Sequence, residues 1–223
     1  MILANFAVIE GCDGSGTTTQ LKLLVKNFEK NKNRETVSLT GVNSGKIYPS
    51  LYATNEPTQG HIGLLIRRIL KGEIPAEKET IARLFAADRG EHIHAPGGIA
   101  ERCARGELVV SDRYTPSSLV YQGLECGREL PETLNSAFPH PELLIYLDLD
   151  SEAAIKRIGK RKEEQEIYED LEFQKKVRAA YLDILPFYEE AGIKVIRLNG
   201  EKAQDELADE IWSALCKMPI MGK

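Results

Sequence analysis

Apolar residues in this 223-residue chain gather in short runs that show no in–out alternation: residues 6–9 (Phe-Ala-Val-Ile), 108–110 (Leu-Val-Val), 143–149 and 195–198. Strands of that kind are buried on both faces, as in parallel sheets. Between them, apolar positions recur every three or four residues. Positions 62, 65, 66, 69 and 70 mark a helix over 62–71, and the same spacing predicts helices over 18–32, 77–94, 152–162, 171–191 and 205–217, with another starting near Pro116. Ala95-Pro-Gly-Gly98 breaks the helix over 77–94. Strands that alternate with helices form parallel βαβ units, so the pattern predicts an α/β fold: a doubly wound, five-stranded parallel sheet with helices on both faces. The fifth strand lies between residues 35 and 54, where 35–40 and 51–54 compete. The second is favoured, with 41–50, rich in Gly, Asn and Ser, as a surface excursion. There are no repeats or linkers, and residues 1–223 read as one domain closing on a short loose tail over 219–223.

The formal net charge of −5 argues against a nucleic-acid or anionic-membrane partner, because both require a basic footprint. Cys12, Cys103, Cys126 and Cys216 are far apart and show no metal-binding spacing, which suits reduced thiols and a cytoplasmic location. Residues 1–9 lack a basic region, so neither a leader nor an anchor is expected there.

The chemistry begins where the first strand ends. Gly11-Cys-Asp-Gly-Ser-Gly-Thr-Thr-Thr19 follows that strand and opens a helix, the order that builds a phosphate cradle from backbone N–H groups and a helix N-terminus. Gly11 and Gly16 have the G-x-x-x-x-G spacing of a P-loop, and Thr18 takes the place of the hydroxyl that binds Mg²⁺. Gly11, Cys12, Asp13, Gly14, Ser15, Gly16, Thr17, Thr18 and Thr19 are therefore the candidate ATP-binding residues. Thr17, however, stands where the motif has lysine. Two further strands end in Asn55-Glu56-Pro57-Thr58 and Ser111-Asp112-Arg113-Tyr114, and ligands of such sheets sit beyond the strands' carboxyl ends. Asp112 is thus a candidate Mg²⁺ partner beside Thr18, with a plain ion pair to Arg113 as the bland alternative. Phe85 and Arg89 lie four apart on one helical face and could hold a planar base, although a core ring and a solvated arginine would look the same. The cations of 156–162, followed by the acidic run 163–166 and with Gly159 as hinge, fit either a solvated helix face or a mobile lid over about 156–169.

Taken together, these stretches resemble the thymidylate kinases, P-loop nucleoside monophosphate kinases. The matching pieces are residues 6–16, Thr-Asn-Glu-Pro-Thr at 54–58, Gly-Leu-Leu-Ile-Arg at 63–67, Leu-Phe-Ala-Ala-Asp-Arg at 84–89 and Asp-Arg-Tyr-Thr-Pro-Ser-Ser-Leu-Val-Tyr-Gln-Gly at 112–123. They cover about the first half of the chain. The resemblance implies that Phe85 stacks on thymine and Arg89 bonds its O4 edge, while Arg67 and Arg113 hold the acceptor phosphate. It puts Asp13 near the transferring phosphate and the sugar 3′-hydroxyl, and Glu56 with Pro57 beside the sugar. Ser117, Ser118 and Gln122 would line the base pocket, and Tyr121 would pack on the deoxyribose. It further implies Mg²⁺ with ATP as donor, dTMP as acceptor, and a homodimer.

Four departures stand out: Thr17 for lysine, Asn55 where arginine is common, Ile167 ahead of Tyr168-Glu169 where the lid has arginine, and the 41–50 excursion. With Thr17 uncharged, Arg157, Lys160, Arg161 or Lys162 is expected to supply the transition-state cation. Two alternatives stay open, a kinase for another monophosphate such as dUMP and a nucleotide-binding relative that has lost catalysis.

Overall fold

The computed structural model describes residues 1–35, 49–159, 168 and 170–222. Its elements run β1 (Ile2–Gly11), α1 (Thr17–Glu35), β2 (Leu51–Asn55), α2 (His61–Leu70), α3 (Lys78–His94), α4 (Ile99–Ala104), β3 (Leu108–Asp112), α5 (Thr115–Cys126), α6 (Glu129–Asn135), β4 (His140–Asp148), α7 (Ser151–Ile158), α8 (Leu171–Glu190), β5 (Lys194–Asn199) and α9 (Gln204–Leu215). Among the described residues the five strands form one sheet of order β2-β3-β1-β4-β5, every pair parallel. This is the expected α/β architecture.

The absence of alternation along the strands has the expected cause. Phe6, Val8, Val109, Leu144 and Tyr146 pack on one side against residues of α2, α3, α5 and α8. Ala7, Ile9, Val110, Ile145 and Leu147 pack on the other against α1 and α9. All ten are fully buried, and each removes roughly 1.5–3 kcal/mol worth of apolar surface from water, the alanine less.

Of the two rival segments for the edge strand, 51–55 forms it; Glu35 ends α1, and 36–48, with most of the 41–50 excursion, lies outside the described residues. The helix expected over 152–162 stops at Ile158, with Asp150 capping its start by accepting from the Glu152 amide at 2.9 Å. Of the proposed lid, 160–167 and 169 lie outside the described residues. Two short helices, α4 and α6, were not expected from the pattern, since six and seven residues carry too few turns to show a period. The tail expected to be loose is not: Pro219–Gly222 forms a 3₁₀ turn that buries Ile220 and Met221 in the α1/α9 layer.

The order 3-1-4 in the middle of the sheet makes the carboxyl end of β1 the topological switch point, where a doubly wound fold leaves a crevice. Register places the polar strand ends level with one another. Ile9 pairs with Asp112, Asn55 with Asp112, and Asp148 with Asn199.

Candidate active site

The loop after β1 turns between Gly11 and Thr17. The Ser15 amide closes onto the Cys12 carbonyl at 3.1 Å, and the Gln20 amide onto Gly16 at 2.9 Å starts α1. Gly14 has φ +83°, and a Cβ there would stand 2.7 Å from the Ala154 carbonyl oxygen, so close packing on α7 as well as conformation demands glycine. Thr17 fills the lysine position and is buried.

Two cavities flank this loop. The larger, of about 430 Å³, falls in the range of small-molecule sites. It opens between the loop (Asp13, Thr17, Thr18), the β2 end (Asn55, Glu56, Pro57), Arg67 and Phe85, and Asp112, Arg113, Ser117, Tyr121 and Gln122. Lys22, Gln59, Leu70 and Tyr168 line it as well; none was a candidate site residue from the sequence, where Leu70 marked only a helix and Tyr168 only the lid. The smaller, of about 290 Å³, lies on the other side of the loop, where Arg157 and Lys202 face Gly14 and Ser15. The expected lid cations Lys160, Arg161 and Lys162 are outside the described residues.

Within the larger cavity the Thr18 hydroxyl donates to Asp112 Oδ2 at 2.5 Å, while Asp112 Oδ1 is buried without a partner. An orphaned carboxylate oxygen beside a hydroxyl at a loop of backbone donors suits a hard cation that completes its shell with phosphate and water. Among the described residues no cluster of three or more His, Cys, Asp or Glu side chains could hold an ion unaided.

Arg113 adopts the left-handed region at φ 70°, uncommon for a non-glycine residue and costly unless the surroundings enforce it. That turn folds its guanidinium back over the loop. Nη2 donates to Asp13 Oδ1 at 2.6 Å, and Nη1 donates to the Gly11 carbonyl at 3.0 Å and to Ser117 Oγ at 3.1 Å. Gln174 from α8 holds the other Asp13 oxygen at 3.1 Å. Arg67 faces the same cavity with a buried Nε that has no partner, its Nη2 donating to the Pro57 carbonyl.

The Leu-Phe-Ala-Ala-Asp-Arg segment and the Asn-Glu-Pro-Thr segment grip each other. Asp88 accepts from the Thr58 amide at 2.7 Å and its hydroxyl at 2.6 Å. Arg89 donates through Nε and Nη2 to Glu56 Oε2 at 2.9 and 2.7 Å, through Nη2 to Ser118 at 3.1 Å, and through Nη1 to Asn135. His92 bridges Glu56 Oε1 at 3.0 Å and Thr54 at 2.7 Å. Arg89 is 1% exposed and stands behind the cavity wall, whereas Phe85 is on it. Asn135 and His92 escaped the sequence reading because nothing in their local pattern marks them.

Glu10 was also missed, although a carboxylate ending a strand buried on both faces was a usable signal. It accepts from Ser117 Oγ at 2.7 Å, Tyr181 Oη at 2.8 Å and the Tyr114 amide at 2.8 Å. Burial pushes its carboxyl up from 4.5 to about 7, against the pull of the Arg113 charge and these hydrogen bonds. A raised folded-state value means the stabilising contribution is complete below pH 4.5 and is lost as pH rises through 7. Wild-type stability should therefore fall between pH 5 and 8 by up to roughly 3 kcal/mol from this group, and Glu10→Gln should flatten that part of the profile. Denaturant unfolding of both proteins at several pH values checks it; equal slopes would refute the assignment.

The profile of the family described as Thymidylate kinase matches residues 9–211. The chain is 40% identical over 180 residues to a protein named putative thymidylate kinase in Treponema pallidum, covering 81% of this chain and 78% of that one. It is 35% identical over 217 residues to a putative thymidylate kinase of Aeropyrum pernix, covering 93% and 95%. A probable thymidylate kinase of Methanococcus maripaludis is 37% identical over 216 residues, 94% of each chain. A glycine-bearing loop at the switch point shares one cavity with Arg67 and Arg113, and the family match runs over nearly the whole length: this chain belongs to the thymidylate kinase family of phosphotransferases.

Proposed function

We propose that the protein transfers the γ-phosphoryl group of ATP to dTMP, giving dTDP, with Mg²⁺ held by Thr18 and Asp112. The observation that carries this reading is the single cavity joining the loop and its Thr18–Asp112 pair to Arg67, Arg113 and Phe85. Donor and acceptor phosphates can meet there. Phosphoryl transfer through a loose transition state needs alignment and charge neutralisation rather than covalent help from the protein. The loop amides from Gly11 to Thr19 would hold the donor phosphates. Arg113 and Arg67 would hold the acceptor phosphate, where a planar guanidinium fork suits two oxygens. Asp13, fixed by Arg113 and Gln174, would keep Arg113 in register with the loop and face the sugar. Thr18 and Asp112 would hold the Mg²⁺, which when bound would supply positive charge to the donor phosphates. Arg157, with Lys160 and Arg161, remains a proposed source of further positive charge from the lid.

For the base, Phe85 offers a ring and Gln122 an Oε1 that is buried without a partner. That oxygen can accept N3–H of thymine or uracil; cytosine has no hydrogen at N3. Arg89 and Ser118 would act from behind this wall, and Tyr121, with Glu56 and Pro57, would bound the sugar. A panel of dTMP, dUMP, dCMP and ribo-UMP with saturating ATP tests the assignment. The expected result is kcat/KM for dCMP at least about 10²-fold below that for dTMP, because an unmet buried acceptor is costly. Comparable rates with dCMP would contradict it.

A further inference from the structure

A P-loop normally brings a lysine to the transferring phosphates, and here Thr17 stands in its place, 5% exposed and uncharged. We propose that Lys22, farther along α1, supplies the missing positive charge to the β/γ end of the donor triphosphate. The proposal rests on the reading of the protein as a Mg-ATP-dependent kinase.

Three observations carry it. Lys22 lines the same cavity as Thr17, Thr18 and Asp112, the residues around which a donor's terminal phosphates would lie. It also sits four residues after Thr18 on α1, hence on the same face one turn on. Helical side chains lean toward the helix N-terminus and cover the turn before their own Cα, which carries the ammonium back toward Thr18 and the converging loop amides. Lastly, Lys22 makes no ion pair or hydrogen bond among the described residues. Among the described residues, the other basic groups lining that cavity already bond the protein, Arg113 to Asp13 and Arg67 through Nη2 to the Pro57 carbonyl, and Lys202 of the second cavity is held by Glu206 and Glu210. Arg157 lines the second cavity, on the other side of the loop, and not the larger one. A compact ammonium on a four-carbon stem is suited to reaching a phosphate as a point charge from a neighbouring turn.

The competing description is a solvated lysine on an exposed helix face, and Lys26, one turn further along and outside both cavities, is its built-in control. The test compares Lys22→Met, Lys22→Arg and Lys26→Met in the full chain. Three quantities are measured: steady-state kinetics with ATP and dTMP, calorimetric affinity for the β,γ-imido analogue of ATP and for AMP, and Tm. Lys22→Met should lower kcat by about 10²-fold or more and weaken the imido analogue by about tenfold, with AMP affinity, KM for dTMP and Tm retained. Lys22→Arg should recover part of the kcat loss, and Lys26→Met should match the wild type. The proposal is overturned if Lys22→Met stays within about threefold of wild-type kcat, if Lys26→Met loses as much, or if triphosphate and AMP affinity fall together with Tm. A wild-type protein that consumes no ATP with any monophosphate would overturn the kinase reading, and Lys22 would fall with it. A wild-type protein that turns over normally beside an equally active Lys22→Met variant would remove Lys22 alone.

Discussion

Replacing Arg113 by alanine is expected to lower kcat/KM for the monophosphate by about 10³-fold or more while leaving the protein folded. The size follows from how many parts of the site this one guanidinium joins. It pins Asp13 of the loop at 2.6 Å, the Gly11 carbonyl at 3.0 Å and the Ser117 hydroxyl at 3.1 Å, and it lies 5.3 Å over the Tyr121 ring. Its backbone is held at φ 70°, a conformation that the closing bond from the Arg113 amide to the Ile9 carbonyl at 3.0 Å helps to enforce. Lysine keeps the charge but loses the planar fork, so Arg113→Lys should recover only a small part of the loss. Steady-state kinetics with circular dichroism checks both. Activity within about tenfold of the wild type for the alanine variant would mean that Arg113 serves the loop's conformation rather than a bound phosphate.

Arg89→Ala should show its largest effect on folding. The guanidinium is buried, as is its partner Glu56, and it is also bonded to Asn135 and Ser118. It lies 5.1 Å over Tyr114 and 5.8 Å over Phe138. Removing one member of a buried pair strands the other charge, at a cost of about 3–5 kcal/mol. For a chain of this length that corresponds to a Tm fall on the order of 10 °C. Glu56→Gln combined with Arg89→Met should be less damaging than the sum of the single changes, because it leaves no charge unpaired. Thermal unfolding of the wild type, Arg89→Ala, the single variants Glu56→Gln and Arg89→Met, and their combination decides. If Arg89→Ala melts with the wild type and only its KM for dTMP rises, the arginine reads the base and the network around it is incidental.

The strands were legible because burial on both faces writes itself as an uninterrupted apolar run, and the P-loop was legible because its glycines are local. Residues whose meaning depends on distant partners were not. Arg89 and Glu56 are 33 positions apart, and Glu10 and Tyr181 are 171 apart. No window of sequence distinguishes a base-reading arginine from one that anchors a buried carboxylate. Phe85 and Arg89 do share a helix, but only the packed structure shows the ring facing the cavity and the guanidinium behind it. Nothing local in the sequence marks Lys22, whose meaning comes from the cavity it shares with Thr18. The end of the chain misled for a related reason: Pro219 and Gly222 suggest a loose terminus, yet Ile220 and Met221 find a buried place in the layer formed with α1 and α9.

The central claim is that a nucleotide monophosphate held by Phe85, Arg67 and Arg113 receives a phosphoryl group from a triphosphate on a loop that lacks its lysine. Its most direct test is ADP formation by the wild-type protein at saturating ATP and Mg²⁺, with and without dTMP. ADP should appear in step with dTDP, one for one, and only when dTMP is present. ADP that forms equally without dTMP, or dTMP that binds without ever being phosphorylated, would contradict it.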